Sequence, residues 1–185
     1  MSLVIWNYQA SFDLFVKDLQ QVLEFIEPVD ANKAVFSHRI YGLLLRVCTD
    51  FESLCKDLLI ESGYKKPPKD MNVYDYRTLE TKLHLEAVEV DFLLWRPQRQ
   101  RFSPFSGWTA SDPPLRWYGD YNMVKHNRDA EFSKACLNTL IESGAGIFCL
   151  IAKVSNFDWG DFCSSSHREG KHEFWRSPFE MFEPE

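Results

Sequence analysis

The chain has 185 residues, 45% hydrophobic and 26% charged, the balance of one globular domain long enough to bury a core without staples. Its formal net charge of -6 argues against nonspecific binding to nucleic acid or membrane, so any nucleic-acid contact must come from a local basic patch. The five cysteines (Cys48, Cys55, Cys136, Cys149 and Cys163) form neither a CxxC pair nor an even set, which argues against a zinc site or disulfide framework and points to a reducing, cytoplasmic setting.

Met1 to Trp6 lacks the basic-then-apolar order of a signal peptide. The most apolar window, 145–152, falls far short of the roughly 18 to 20 residues that cross a bilayer, so no membrane is expected. Phe12, Phe15, Val16, Leu19, Val22, Leu23 and Ile26 predict a first helix from near Ser11, ended by Pro28. A second helix of about thirty residues, capped by Asp30, runs through Val35, Ile40, Leu43, Leu44, Val47, Phe51, Leu54, Leu58 and Leu59 to Gly63, and its length makes it a central spine. Asn72 caps a short helix carrying Tyr76, Leu79 and Leu83, and residues 87–94 read equally as an extended segment or a helix end. Residues 95–111 form a long irregular loop of the kind that is often functional. Asp112-Pro113-Pro114 opens a helix through Leu115, Trp117, Tyr118, Tyr121 and Val124, and Asp129 is a cap for another carrying Phe132 to Val154. Gly144 and Gly146 within it fit close packing against the second helix. Residues 1–160 thus read as one mostly helical domain. Residues 161–185 read as an irregular C-terminal tail that wraps it, anchored by Trp159, Phe162, Phe174, Trp175, Phe179 and Phe182.

The segment 121–128 carries the chemistry. On a helix, Tyr121, Lys125 and Arg128 share one face at spacings of four and three, and Asn122 and His126 form the adjacent ridge. Arg and Lys neutralise a phosphate, His moves a proton near neutral pH, and Asn or Tyr orients an oxygen. That set suits metal-independent RNA cleavage by the ribose 2′-hydroxyl, with no cofactor and no metal. Arg96, Arg99, Arg101, Arg116, Lys125 and Arg128 outnumber Asp112 and Asp120 across this region. Phe102, Phe105, Trp108 and Trp117 are interleaved as on a single-strand stacking surface. The same residues admit a structural reading: Lys-His-Asn-Arg as a helix end favoured by the dipole, and Asn122 with His126 as a buried polar pair. On the second helix, Arg39 and Arg46 share a face seven residues apart, and with His38 they either meet the His126 region or point to solvent. His167 and His172 in the tail lack further metal ligands, and neither a Gly-rich phosphate loop nor a GxSxG elbow is present.

The stretch from Trp117 to Arg128 (WYGDYNMVKHNR), followed by a long helix, resembles the HEPN superfamily, as does the earlier helix from Ser37 to Arg46 (SHRIYGLLLR). It is most similar to uncharacterised bacterial and phage-associated members with a YNxVKHxR motif, over roughly residues 30–154. The resemblance implies an all-α, HEPN-like helical bundle, often a homodimer. In active members it implies a metal-independent endoribonuclease of toxin–antitoxin or phage defence, with RNA as substrate and an antitoxin or other protein as partner. On that resemblance His126 and Arg128 are the catalytic residues, and Lys125, Asn122, Tyr121, Arg116 and Arg39 contact substrate. The family's Arg usually precedes its His by four to six intervening residues. Here nine separate Arg116 from His126, about 15 Å along a helix, and Arg128 follows His126 instead. The alternative is a non-catalytic homo-oligomeric interaction module using the same segment.

Overall fold

The computed structural model describes residues 3–110, 112, 115–155 and 177–182. Helix α1 (Leu3–Leu23) begins well before Ser11 and buries Phe12, Phe15, Val16, Leu19 and Val22. Helix α2 (His38–Glu61) has 24 residues and starts later than the Asp30 cap implied. Asp30 instead opens a 3-10 turn, pairs with Lys33 at 2.9 Å and accepts from Trp95 Nε1 at 3.1 Å. The delay has a tertiary cause. Residues 33–36 pair with 136–138: Phe36 bridges Cys136, Leu137 N–H donates to Val35 O at 2.8 Å, and Asn138 N–H donates to Lys33 O at 3.1 Å. Ser37 then caps α2, its Oγ accepting from Ile40 N–H at 3.2 Å.

Helix α3 (Val73–Tyr76) has the anticipated Asn72 cap, closed by the Asp75 carboxylate accepting from Asn72 N–H at 2.8 Å. A 3-10 turn leads into α4 (Glu80–Leu83).

Strands β1 (Glu89–Phe92), β2 (Gln100–Phe102) and β3 (Phe179–Phe182) form an antiparallel sheet in the order β2–β1–β3. This sheet overturns the all-α bundle: the fold is a mixed helical and sheet architecture. The 95–111 loop contains one of the strands and the C-terminal tail another. Each strand has only three or four residues and becomes stable through its partners. Val90 faces both Phe102 and Met181 across the register. Asp91 is 2% exposed, and Arg101 grips it side-on, Nε to Oδ1 at 2.7 Å and Nη2 to Oδ2 at 3.1 Å. Phe179 is buried among the rings of Phe12, Phe92 and Phe148, at centroid distances of 6.0, 5.2 and 5.6 Å. Of the other expected anchors, Phe182 lies under the Arg101 guanidinium at 4.9 Å. Trp159, Phe162, Phe174 and Trp175 lie outside the described residues, as do His167 and His172.

Helix α5 (Arg116–His126) is followed by α6 (Arg128–Glu131), a 3-10 turn at Phe132–Lys134, and α7 (Leu137–Ser155). Helix α7 packs on α1, α2 and α5. By length and composition α7 is apolar enough to cross a membrane, and 78% of that stretch is buried inside the fold. The atoms nearest its glycines are not those of α2. A Cβ at Gly144 would meet the Phe15 ring at 2.7 Å, and one at Gly146 the Trp117 ring at 2.9 Å, so they admit side chains of α1 and α5.

Candidate functional site

Helix α5 ends at Asn127, whose φ of -141° and ψ of 66° leave the helical region. Arg128 therefore belongs to a separate short helix, and the single face expected to carry Tyr121, Lys125 and Arg128 is broken between the last two.

The first part of that face turns inward. Tyr121 is buried, and its hydroxyl accepts from Lys125 Nζ at 3.0 Å. Lys125 also reaches Glu52 Oε1 on α2 at 3.4 Å, and Tyr118 donates to the same oxygen at 2.8 Å. Burial, followed by the Glu52 carboxylate, pushes the Tyr118 hydroxyl far above the usual tyrosine range, and burial raises Tyr121 as well. Desolvation works against the Lys125 ammonium, but its bonds to Tyr121 and Glu52 outweigh that and raise its pKa. Tyr121 and Lys125 thus lock α5 onto α2. Asn122 is half-buried and makes no side-chain hydrogen bond among the described residues. Arg116, at the far end of α5, pairs with Glu142 at 3.4 Å.

The second part faces outward. His126 is exposed in the last turn of α5 and has no side-chain partner among the described residues. Arg128 is exposed, its guanidinium 5.4 Å from the Tyr41 ring centre and 5.7 Å from that of Phe132. Phe132 is the hub of this corner. His38 packs on it at 4.9 Å, Phe36 meets it edge-on at 5.4 Å, and Tyr41 does so at 5.9 Å. The 33–36 pairing with 136–138 brings the start of α2 beside the turn before α7, and so assembles these rings. His38 and Tyr41, three residues apart on α2, reach Phe132 from one helix face. In the sequence alone His38 faces either the His126 region or solvent, Phe132 reads only as an apolar residue of the last long helix, and Tyr41 only as part of the SHRIYGLLLR stretch. A Ser37 cap, placing His38 and Tyr41 on the first turn, was the available signal.

Arg39 is also exposed. It hydrogen-bonds Gln21 and lies 3.7 Å from Asp18, both on α1. Two of the three arginines of the 95–111 region are taken up in ion pairs, Arg99 with Glu180 at 3.0 Å and Arg101 with Asp91 and Glu89, while Arg96 is exposed. The interleaved aromatics Phe102, Phe105, Trp108 and Trp117 are all buried, so they are core and not a stacking platform. Among the described residues, no group of three or more His, Cys, Asp or Glu side chains is placed to hold a metal ion. The structure thus brings together His38, Tyr41, Arg128 and Phe132, with His126 two residues from Arg128, and takes Tyr121, Lys125, Arg116 and Arg39 elsewhere. Comparison with family models, curated proteins and solved structures finds no match to this chain.

Proposed function

We propose that the corner built from His38, Tyr41, His126, Arg128 and Phe132 binds single-stranded RNA and supports its metal-independent cleavage. The observation that carries the reading is the Arg128 guanidinium over two aromatic rings, one of which also holds the His38 imidazole. Aromatic and guanidinium planes stack bases without regard to sequence, and an Arg neutralises the adjoining phosphate. The reading agrees with the RNA-directed activity that the HEPN resemblance implies, and does not depend on an all-α fold.

Cleavage forms a bond between the ribose 2′-oxygen and phosphorus and breaks the bond from phosphorus to the 5′-oxygen. One imidazole takes the 2′-hydroxyl proton and a second proton donor serves the leaving 5′-oxygen. His38, stacked on Phe132, and His126, two residues before Arg128, are both exposed and are assigned those two roles.

The test measures binding of a labelled single-stranded RNA, then its cleavage in chelator. Arg128→Ala and Phe132→Ala are each expected to weaken binding about tenfold, in line with roughly 1–3 kcal/mol per stacked base. His126→Ala is expected to abolish products ending in a 2′,3′-cyclic phosphate. Cleavage that survives His126→Ala removes its catalytic role, and a wild-type protein that binds no RNA at low salt removes the whole reading.

A second reading, a non-catalytic homo-oligomeric module, is favoured by Phe36 and Met123, which are 46% and 45% exposed. A self-association surface there predicts a dimer by light scattering that Phe36→Ser dissociates. An antitoxin or other protein partner would use the same corner.

A further inference from the structure

Gly42 lies in the second turn of α2, where a glycine weakens a helix relative to alanine. Nothing in the packing calls for it. Its φ is not positive, and an added Cβ would meet no atom within 4 Å, in contrast to Gly144 and Gly146. What its bare backbone does is hold space open. A depression of about 270 Å³ lies over it, lined by Asp18, His38, Arg39, Gly42, Leu43 and Arg46. Arg39 also borders a second, about 610 Å³, that continues along α1 past Gln21 and Phe25.

The charges over Gly42 do not cancel. Asp18 takes Arg46 Nη1 at 2.6 Å and lies 3.7 Å from Arg39, so one carboxylate faces two guanidiniums. Glu24 borders only the second depression. The Nε and Nη2 of Arg46 are shielded from water and have no hydrogen-bond partner among the described residues. Those two atoms form the side-on fork with which Arg101 holds both oxygens of Asp91. Two oxygens on one phosphorus match the same fork, and Arg46 must turn outward to present it, because both atoms are shielded in this structure. Long helical side chains lean toward the N-terminus, so Arg46 extends over the turn that contains Gly42. His38 belongs both to this depression and to the Phe132 hub.

We infer that the notch over Gly42 is a phosphate subsite, and that it receives the backbone phosphate next to the base stacked at Phe132. The identity of the ligand rests on the RNA reading; the existence of an anion site does not. A strand laid on this surface runs from the Phe132 hub past His38 to Arg39 and Arg46.

The experiment uses the full chain and two probes: labelled single-stranded RNA, and inorganic tripolyphosphate, which has no bases. Tripolyphosphate is expected to shift the Gly42 amide resonance and to compete with RNA. Gly42→Leu fills the notch without adding charge and should fold as wild type, lose at least tenfold in RNA affinity and abolish competition by tripolyphosphate. Gly42→Ala should keep most of both. Arg46→Gln reports on the same subsite without altering the helix, should Gly42→Leu fail to fold. RNA bound equally by wild type, Gly42→Leu and Arg46→Gln, with no amide shift, overturns the subsite and leaves the RNA reading standing. A wild-type protein that ignores RNA but shows the tripolyphosphate shift, lost in Arg46→Gln, keeps the anion site and discards RNA. No response to either probe overturns the inference.

Discussion

Asp91 shows how a carboxylate is kept charged inside a protein. The Arg101 hydrogen bonds hold its carboxyl below the usual aspartate range against the desolvation that opposes them, with the charges of Arg101 and Arg99 adding to the effect. Because the folded pKa lies below the unfolded one, the pair contributes stability above an unfolded value of about 3.9. That contribution fades as pH falls through the lower folded value. Asp91→Asn should therefore flatten the acid limb of stability against pH, measured by urea unfolding between neutral and acid conditions. At pH 7 it should cost about 2 kcal/mol, below the 3–5 for breaking a fully buried pair, because Arg101 is half exposed. The same rule governs the site. Tyr121 and Lys125 have the residue types of a phosphate site, yet Glu52, 73 positions before Lys125, claims them. Nothing in the segment 121–128 itself shows that partner.

At the scale of elements, two helical glycines carry opposite expectations. Gly42→Ala meets open space and gains helix propensity, so it should raise stability by about 1 kcal/mol. Gly144→Ala drives a methyl into the Phe15 ring and should cost about 1–3 kcal/mol, the range for an overpacked core. Thermal unfolding of the two variants reads both signs. The apolar spacing of α1, α2 and α7 and the Asn72 cap were legible because a helix is written in consecutive residues. The sheet was not. β1 reads ambiguously alone, and its partners lie about ten residues away in β2 and about ninety away in β3. The start of α2 was missed for a similar reason, since Asp30 and Ser37 are both capping residues and only the pairing with 136–138 chooses between them.

At the scale of the molecule, Phe179 ties the C-terminal strand to α1, α7 and β1 through three ring contacts. Phe179→Ala should cost about 3 kcal/mol or more, as for other buried Phe truncations. Phe182→Ala, which gives up a half-exposed ring under Arg101, should cost under about 1 kcal/mol. Chemical denaturation of the two variants distinguishes a closing strand from a loosely laid one. The pairing of residues 33–36 with 136–138 has a further consequence, for the time at which the protein becomes competent. His38 and Tyr41 emerge early in synthesis, whereas Arg128, Phe132 and the residues that anchor them emerge about ninety positions later. No N-terminal fragment that ends before Phe132 contains the corner, and a chain folded only as far as β2 has only His38 and Tyr41 of it. The corner is withheld from the nascent chain until the long segment between α2 and α7 has brought residues 136–138 back to 33–36, so its appearance reports that this segment has folded.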